Sequence, residues 1–126
     1  MLSDEDIIAV WPARLADREH LVWKGRHLKT SFLFALGERR YLVAIREGQM
    51  HVRAASTIVM PQWDFALRAD EHVWHAFFQP VPPPEYHDLL AMMKCRRLII
   101  EGNIYAFMSH LLFFKALFTL LRSTEK

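Results

Sequence analysis

His72 and His75 stand three residues apart in "EHVWHAFFQ", a spacing that can set two imidazoles on one face of a helix, and His87 and Cys95 follow. Nitrogen and sulfur donors of that kind suit zinc. The helical positions argue against it. His72, His75 and Gln79 fall opposite Val73, Trp74 and Phe77, on the side expected to face water. Neither H-E-x-x-H nor a paired C-x-x-C occurs. No metal site is therefore expected, and a metal-dependent enzyme using His72, His75 and His87 ranks behind the readings developed below. Nucleophilic chemistry has no better footing. There is no G-x-S-x-G, and Ser109 and His110 are sequence neighbours whose side chains diverge on a helix. Cys95 lies beside Lys94, Arg96 and Arg97, cations that favour a thiolate. Its place at the end of an apolar helix fits a buried, inert thiol. The acids sit at helix starts and turns, where capping and solvation account for them, with Glu101 at the end of an apolar strand as the exception. Only four glycines occur and none are clustered, which excludes a phosphate-cradling loop. No catalytic residue and no cofactor are expected.

The whole composition agrees. With 52% hydrophobic residues, among them 9 Phe, 6 Met and 4 Trp, the chain is globular. Its 126 residues suit one domain, 1–126, able to bury a core without covalent staples. The formal charge of +2 is too small to imply nucleic acid as a partner. Short basic clusters (Lys24, Arg26 and Lys29; Arg39 and Arg40; Lys94, Arg96 and Arg97) read as solvated edges. Cys95 is the only cysteine, so no intrachain disulfide forms, which fits a reducing cytoplasm. The opening "MLSDEDIIAV" is acidic where a signal peptide is basic. A cytoplasmic location is the expectation.

The elements that would position any site follow from periodicity. Ser3 and Asp6 form a capping-box pattern for a helix over 4–10 that meets Pro12, with a further turn or two over 13–23. Residues 1–29 thus make a helical N-terminal segment, and 30–122 carry a sheet and helices. "KTSFLFAL", "RYLVAIR" and "QMHVRA", separated by Gly37 and Glu47-Gly48, predict a strand meander. "QWDFALRA" alternates Trp63, Phe65 and Leu67 with Asp64, Ala66 and Arg68, a half-buried strand. Asp70 is placed to cap the helix "EHVWHAFFQ", which stops at Pro80. "PVPPP" is a stiff connector, "EYHDLLAMMK" a helix, "RLIIEG" a short buried strand, and Asn103 the cap of the last helix.

That last segment, "NIYAFMSHLLFFKALFTLLR", spans 103–122. A helix of roughly 20 residues reaches about 30 Å, enough to cross a bilayer. Lys115 and His110 oppose that: a mid-span lysine costs about 3 kcal/mol. No transmembrane segment is expected. Spaced at 100°, Lys115, Arg122, Thr119, Ser109 and Tyr105 share one side. Phe107, Leu111, Phe114 and Phe118 lie on a wide opposite arc, with His110 in its middle. Trp74, Phe77 and Phe78 on one helix and Leu90, Met92 and Met93 on another add to this apolar surface. The same residue types would serve a close-packed core, so the residues alone leave filled core and lined cavity both open.

From residue 30 onward the order of elements resembles the sterol carrier protein type-2 family. "FALRADEHVWHAFF" is similar to that family's strand running into an acid-capped helix, and "CRRLIIEGN" to its late "G-x-L-x-I-x-G-D" strand. Cys95-Arg96 replaces the glycine that usually opens this strand, and Asn103 replaces the aspartate after Gly102. The resemblance implies an α+β fold: a curved, mainly antiparallel sheet of about five strands with helices on one face. It also implies a tunnel lined by nonpolar side chains that accepts lipids, fatty acyl chains or sterol-like molecules. The expected function is a non-catalytic carrier or binding module. Trp74, Phe77, Phe78, Leu90, Met92 and Met93, with Phe107, Leu111, Phe114 and Phe118, would line its cavity, and His110 and Glu101 would meet a polar head group. The alternative is a homodimeric interaction module in which the C-terminal apolar helix packs against its twin.

Overall fold

The computed structural model describes residues 3–55 and 62–122. The chain opens with a capping box: the Ser3 N–H donates to Asp6 Oδ2 at 3.0 Å, and the Asp6 N–H to Ser3 Oγ at 3.2 Å. A wide π-helical turn, Asp6–Val10, runs directly into α1, Trp11–Ala16. The helix was expected to halt at Pro12. It continues because the wide turn absorbs the missing proline N–H and the bulk of the ring. Helix α2, Glu19–Lys24, follows.

Strands β1 (Lys29–Leu36), β2 (Arg39–Arg46) and β3 (Gln49–Ala54) form the expected meander. Its second turn places both Glu47 (φ 53°) and Gly48 (φ 79°) in the left-handed region, the backbone of a tight hairpin turn. A Cβ on Gly48 would lie 2.5 Å from the Val22 carbonyl oxygen, so glycine also lets the hairpin reach α2. β4 (Phe65–Ala69) pairs parallel with β1, and β5 (Ile99–Gly102) pairs antiparallel with β4. The sheet order is β3-β2-β1-β4-β5: α+β, mainly antiparallel, as expected.

The junction of β1, β4 and β5 is Asp64. Its carboxylate accepts from Thr30 Oγ1 at 2.6 Å and from the Ser31 N–H at 3.2 Å. Its carbonyl accepts from the Asn103 N–H at 2.7 Å.

Helix α3 is Glu71–Phe77, with Asp70 in the N-cap position but without the side-chain cap hydrogen bond expected of it, and α4 is Leu89–Lys94, shorter than the ten-residue helix expected. β5 is an edge strand with Ile99 55% exposed, not the buried strand expected. It has a partner on one side only, so an apolar run here does not mean burial on both faces.

The closing segment also departs from a single helix. It divides into α5, Ile104–Met108, and α6, Leu111–Thr119. Ser109 Oγ donates to the Tyr105 carbonyl, which also keeps its ladder bond from the Ser109 N–H at 2.9 Å, and His110 takes a non-helical conformation (φ −126°, ψ 36°). His110 is consequently exposed at the start of α6 rather than central to an apolar arc.

Alternation divides the sheet into two unlike faces. Phe32, Phe34, Tyr41, Val43, Ile45, Phe65 and Leu67 point inward to one core beneath the helices. Trp11 donates its indole N–H to the Leu117 carbonyl at 2.9 Å, and Trp74 donates to Ala35 at 2.8 Å. Each buried indole thus finds the acceptor it needs.

Candidate functional site

Where the first helix, the end of β1, α3 and the turn after α6 meet, they line a half-open pocket of about 280 Å³. Its apolar wall is Val10, Leu36, Trp74, Phe78 and Leu121; its polar wall is Asp6, Arg14, Glu71, His75 and Gln79.

Each wall is held by an identifiable device. Arg14 donates to the Leu120 carbonyl at 2.6 Å, fixing α1 against the end of α6. Arg122 donates to the carbonyls of Phe77 and His87, both at 2.8 Å, and lies 4.4 Å over the Phe77 ring. Burial lowers the pKa of this guanidinium below its ordinary value, countered in part by Asp88. Beside the pocket, Arg39 bridges Glu71 and Asp4, each at 3.5 Å. The Tyr41 hydroxyl donates to Asp4. Burial, then this bond to Asp4, push the Tyr41 phenol up to about 12.

Of the ten candidate lining residues, Trp74 and Phe78 reach this pocket. Phe77, Met92, Phe107, Phe114 and Phe118 are buried in the core, and Leu90, Met93 and Leu111 are half-buried. The core rings touch one another directly. Phe114 lies 5.5 Å from Phe107 and 5.7 Å from Phe32, and Phe118 stacks at 5.6 Å on Trp74. Such offset and edge-on contacts are the preferred aromatic geometries.

Glu101 sits on the opposite sheet face and pairs with Arg68 at 2.6 Å. Neither it nor His110 lines the pocket. His72 and His75 are exposed on α3, with His75 Nε2 3.3 Å from Gln79 Nε2. Among the described residues, no three His, Cys, Asp or Glu side chains are grouped to hold a metal ion. Nor is any described helix long and apolar enough to cross a membrane.

The N-terminal wall is what the sequence reading missed. Asp6 carried a visible signal as half of the capping box, and Ile7, Trp11 and Leu15 repeat every fourth residue. That periodicity marks a helix that must dock on something.

No family model matches the sequence, and neither does any curated protein. Solved structures do match. A conserved hypothetical protein from Thermus thermophilus, described as possibly a sterol carrier protein, superposes with a TM-score of 0.74 at 14% identity. The match covers 97% of this chain and 87% of that one. A crystal structure of sterol carrier protein 2 gives 0.70 at 14% identity, over 91% and 92%. A stereoselective sec-alkylsulfatase from Pseudomonas sp. gives 0.62 at 15% identity, over 98% of this chain but 17% of the enzyme. Likenesses at such low identity concern the backbone, and the backbone of this chain is that of the sterol carrier protein 2 fold.

Proposed function

We propose that this chain is a binding module for a small molecule with an apolar body and a polar end, received in the pocket between α1, α3 and α6. One observation carries the reading: an apolar wall ending in the Trp74 and Phe78 rings faces a polar wall of Asp6, Arg14, Glu71, His75 and Gln79. Desolvation drives such binding at about 0.8 kcal/mol per methylene transferred, and the polar wall orients the head group. A volume near the lower end of the usual ~300–1,000 Å³ suits a short tail, or one end of a longer ligand. The fold shared with proteins named as sterol carriers supports a lipid-like ligand.

Titration with a dansyl-labelled fatty acid tests this. Saturable binding at micromolar protein is expected, and Val10→Trp, which fills the pocket from a half-buried position, is expected to weaken it about tenfold, or 1.4 kcal/mol. Absence of saturation overturns the reading.

A second reading rests on a different surface. Ile104 (44% exposed), Tyr105 (79%), Met108 (43%) and Leu112 (71%) leave apolar area uncovered on α5 and α6. Exposed apolar patches of this kind mark contact surfaces, which favours self-association. The buried Phe114 is not the residue to probe it. Sedimentation of Leu112→Asp is: a dimer that dissociates in the variant supports the reading, and a monomeric parent chain removes it.

A further inference from the structure

At the other end of β1, the turn leading out of α2 meets the β2–β3 hairpin around a second concavity of about 460 Å³. Arg26, His27, Lys29, Arg46 and His51 line it, with Glu47 the single acid. Lys29 and Arg46 are directly opposite partners in the antiparallel register, side chains on the same face. Such partners hold their Cβ atoms about 4.5–5.5 Å apart, and like charges there destabilise a sheet. None of the three fixed cations has a carboxylate within ion-pair distance among the described residues, whereas Arg39, Arg68, Arg97 and Lys115 do. Arg26 is instead braced: its guanidinium lies 3.4 Å over the Trp23 ring and gives one N–H to the Trp23 carbonyl at 2.7 Å. Its other donors remain, since a guanidinium carries five.

We propose that this concavity is an anion site for a phosphomonoester group. Three fixed cations and one carboxylate leave a local charge of +2 before either imidazole is counted. A phosphomonoester carries about −1.5 to −2 at neutral pH, and arginine forks match its oxygens in pairs. A bound dianion turns the Lys29–Arg46 repulsion into a shared attraction. The site is independent of the apolar pocket. Lys29 and Leu36 stand at opposite ends of β1, seven residue steps or about 23 Å apart. The recognised chemistry is shared by soluble phosphomonoesters and by the phosphate head group of an anionic lipid.

The test is amide-resolved NMR of the full chain titrated with glycerol 3-phosphate, with potassium chloride at matched ionic strength as control. Sedimentation with phosphatidylcholine vesicles, with and without phosphatidic acid, runs in parallel. Saturable shifts confined to residues 26–29 and 46–51 are expected. Lys29→Glu is expected to weaken them more than about tenfold. The same substitution places opposite charges across the strands and is expected to raise Tm by about 2 °C, so a loss of binding there is not a loss of fold. Arg46→Gln provides a second variant with the same expected loss. Binding to phosphatidic acid vesicles without a response to glycerol 3-phosphate assigns the lipid source; the reverse assigns the soluble one. No response to either, shifts that chloride reproduces, or undiminished affinity in Lys29→Glu overturns the proposal.

Discussion

The two faces of one sheet differ more than any two elements of this molecule. Inward, β1, β2 and β4 present Phe32, Phe34, Tyr41, Val43, Phe65 and Leu67, all essentially excluded from solvent. Outward, the same strands and β3 alternate to Lys29, Arg40, Arg46, His51, Arg53 and Arg68. Leu33 and Ala66, on the outward parity, are nonetheless buried in a separate minor cluster with Ala55 and the partly buried Trp63. The difference teaches where each property resides. The main core comes from one parity of positions along the strands, whereas the outward charge comes from the other. Sensitivity to substitution should therefore alternate with a period of two along β2 and β3, and less sharply along β1 and β4, where Leu33, Ala35 and Ala66 are buried on the outward parity as well.

The largest test of that contrast is a paired truncation. Phe65 stacks on Phe32 at 5.2 Å and meets Phe114 at 5.3 Å and Phe107 at 5.5 Å. Phe65→Ala is expected to cost about 3–5 kcal/mol, and outward-facing Arg53→Ala to stay within ~0.5 kcal/mol, both read from urea midpoints. Comparable losses would dissolve the contrast. Next comes the rim where the faces meet. Gly102 has φ +90°, and a Cβ there would lie 2.7 Å from the Asp64 carbonyl oxygen. Gly102→Ala is expected to cost about 1–3 kcal/mol and to loosen β5, seen as faster amide exchange at Ile100.

The inner face also has a pH signature. Tyr41 titrates at about 12 when folded, against 10.0 as its ordinary value. The folded state then holds its proton more tightly than the unfolded state does. The stability involved is intact below pH 10 and is lost as pH rises toward 12. Measured against Tyr41→Phe, the parent chain should lose relative stability across that window, and parallel curves would contradict the assignment. The smallest effect belongs to the outer face. Arg68 and Glu101 pair at 2.6 Å with side chains 37% and 48% exposed, so a double-mutant cycle should return less than about 1 kcal/mol, falling with salt.

Much of this architecture was legible in the residues. The meander was readable because Gly37 and Glu47-Gly48 interrupt alternating aromatic and β-branched runs. The step from β4 into α3 was readable because Asp70 follows directly on a strand pattern. The break between α5 and α6 was not, since neither glycine nor proline marks it. It lies in the non-helical backbone of His110, directly after Ser109. The site was legible only in part. Trp74 and Phe78 were recoverable as apolar positions of one helix. Asp6, Val10 and Arg14 join Leu121 only through contacts between opposite ends of the chain, which no local pattern encodes. The same holds for Arg26 and Lys29, which read as a solvated edge until the register brings Arg46 beside them.

The bonds from Trp11 to Leu117 and from Arg14 to Leu120 each join residues 106 positions apart. Translation adds about 5–20 residues per second, so roughly five to twenty seconds separate the synthesis of Trp11 and Arg14 from that of their acceptors. During biosynthesis the opening helix is an unclasped buckle, its tryptophan accessible to chaperones and proteases, and it closes only once Leu117 and Leu120 have been made.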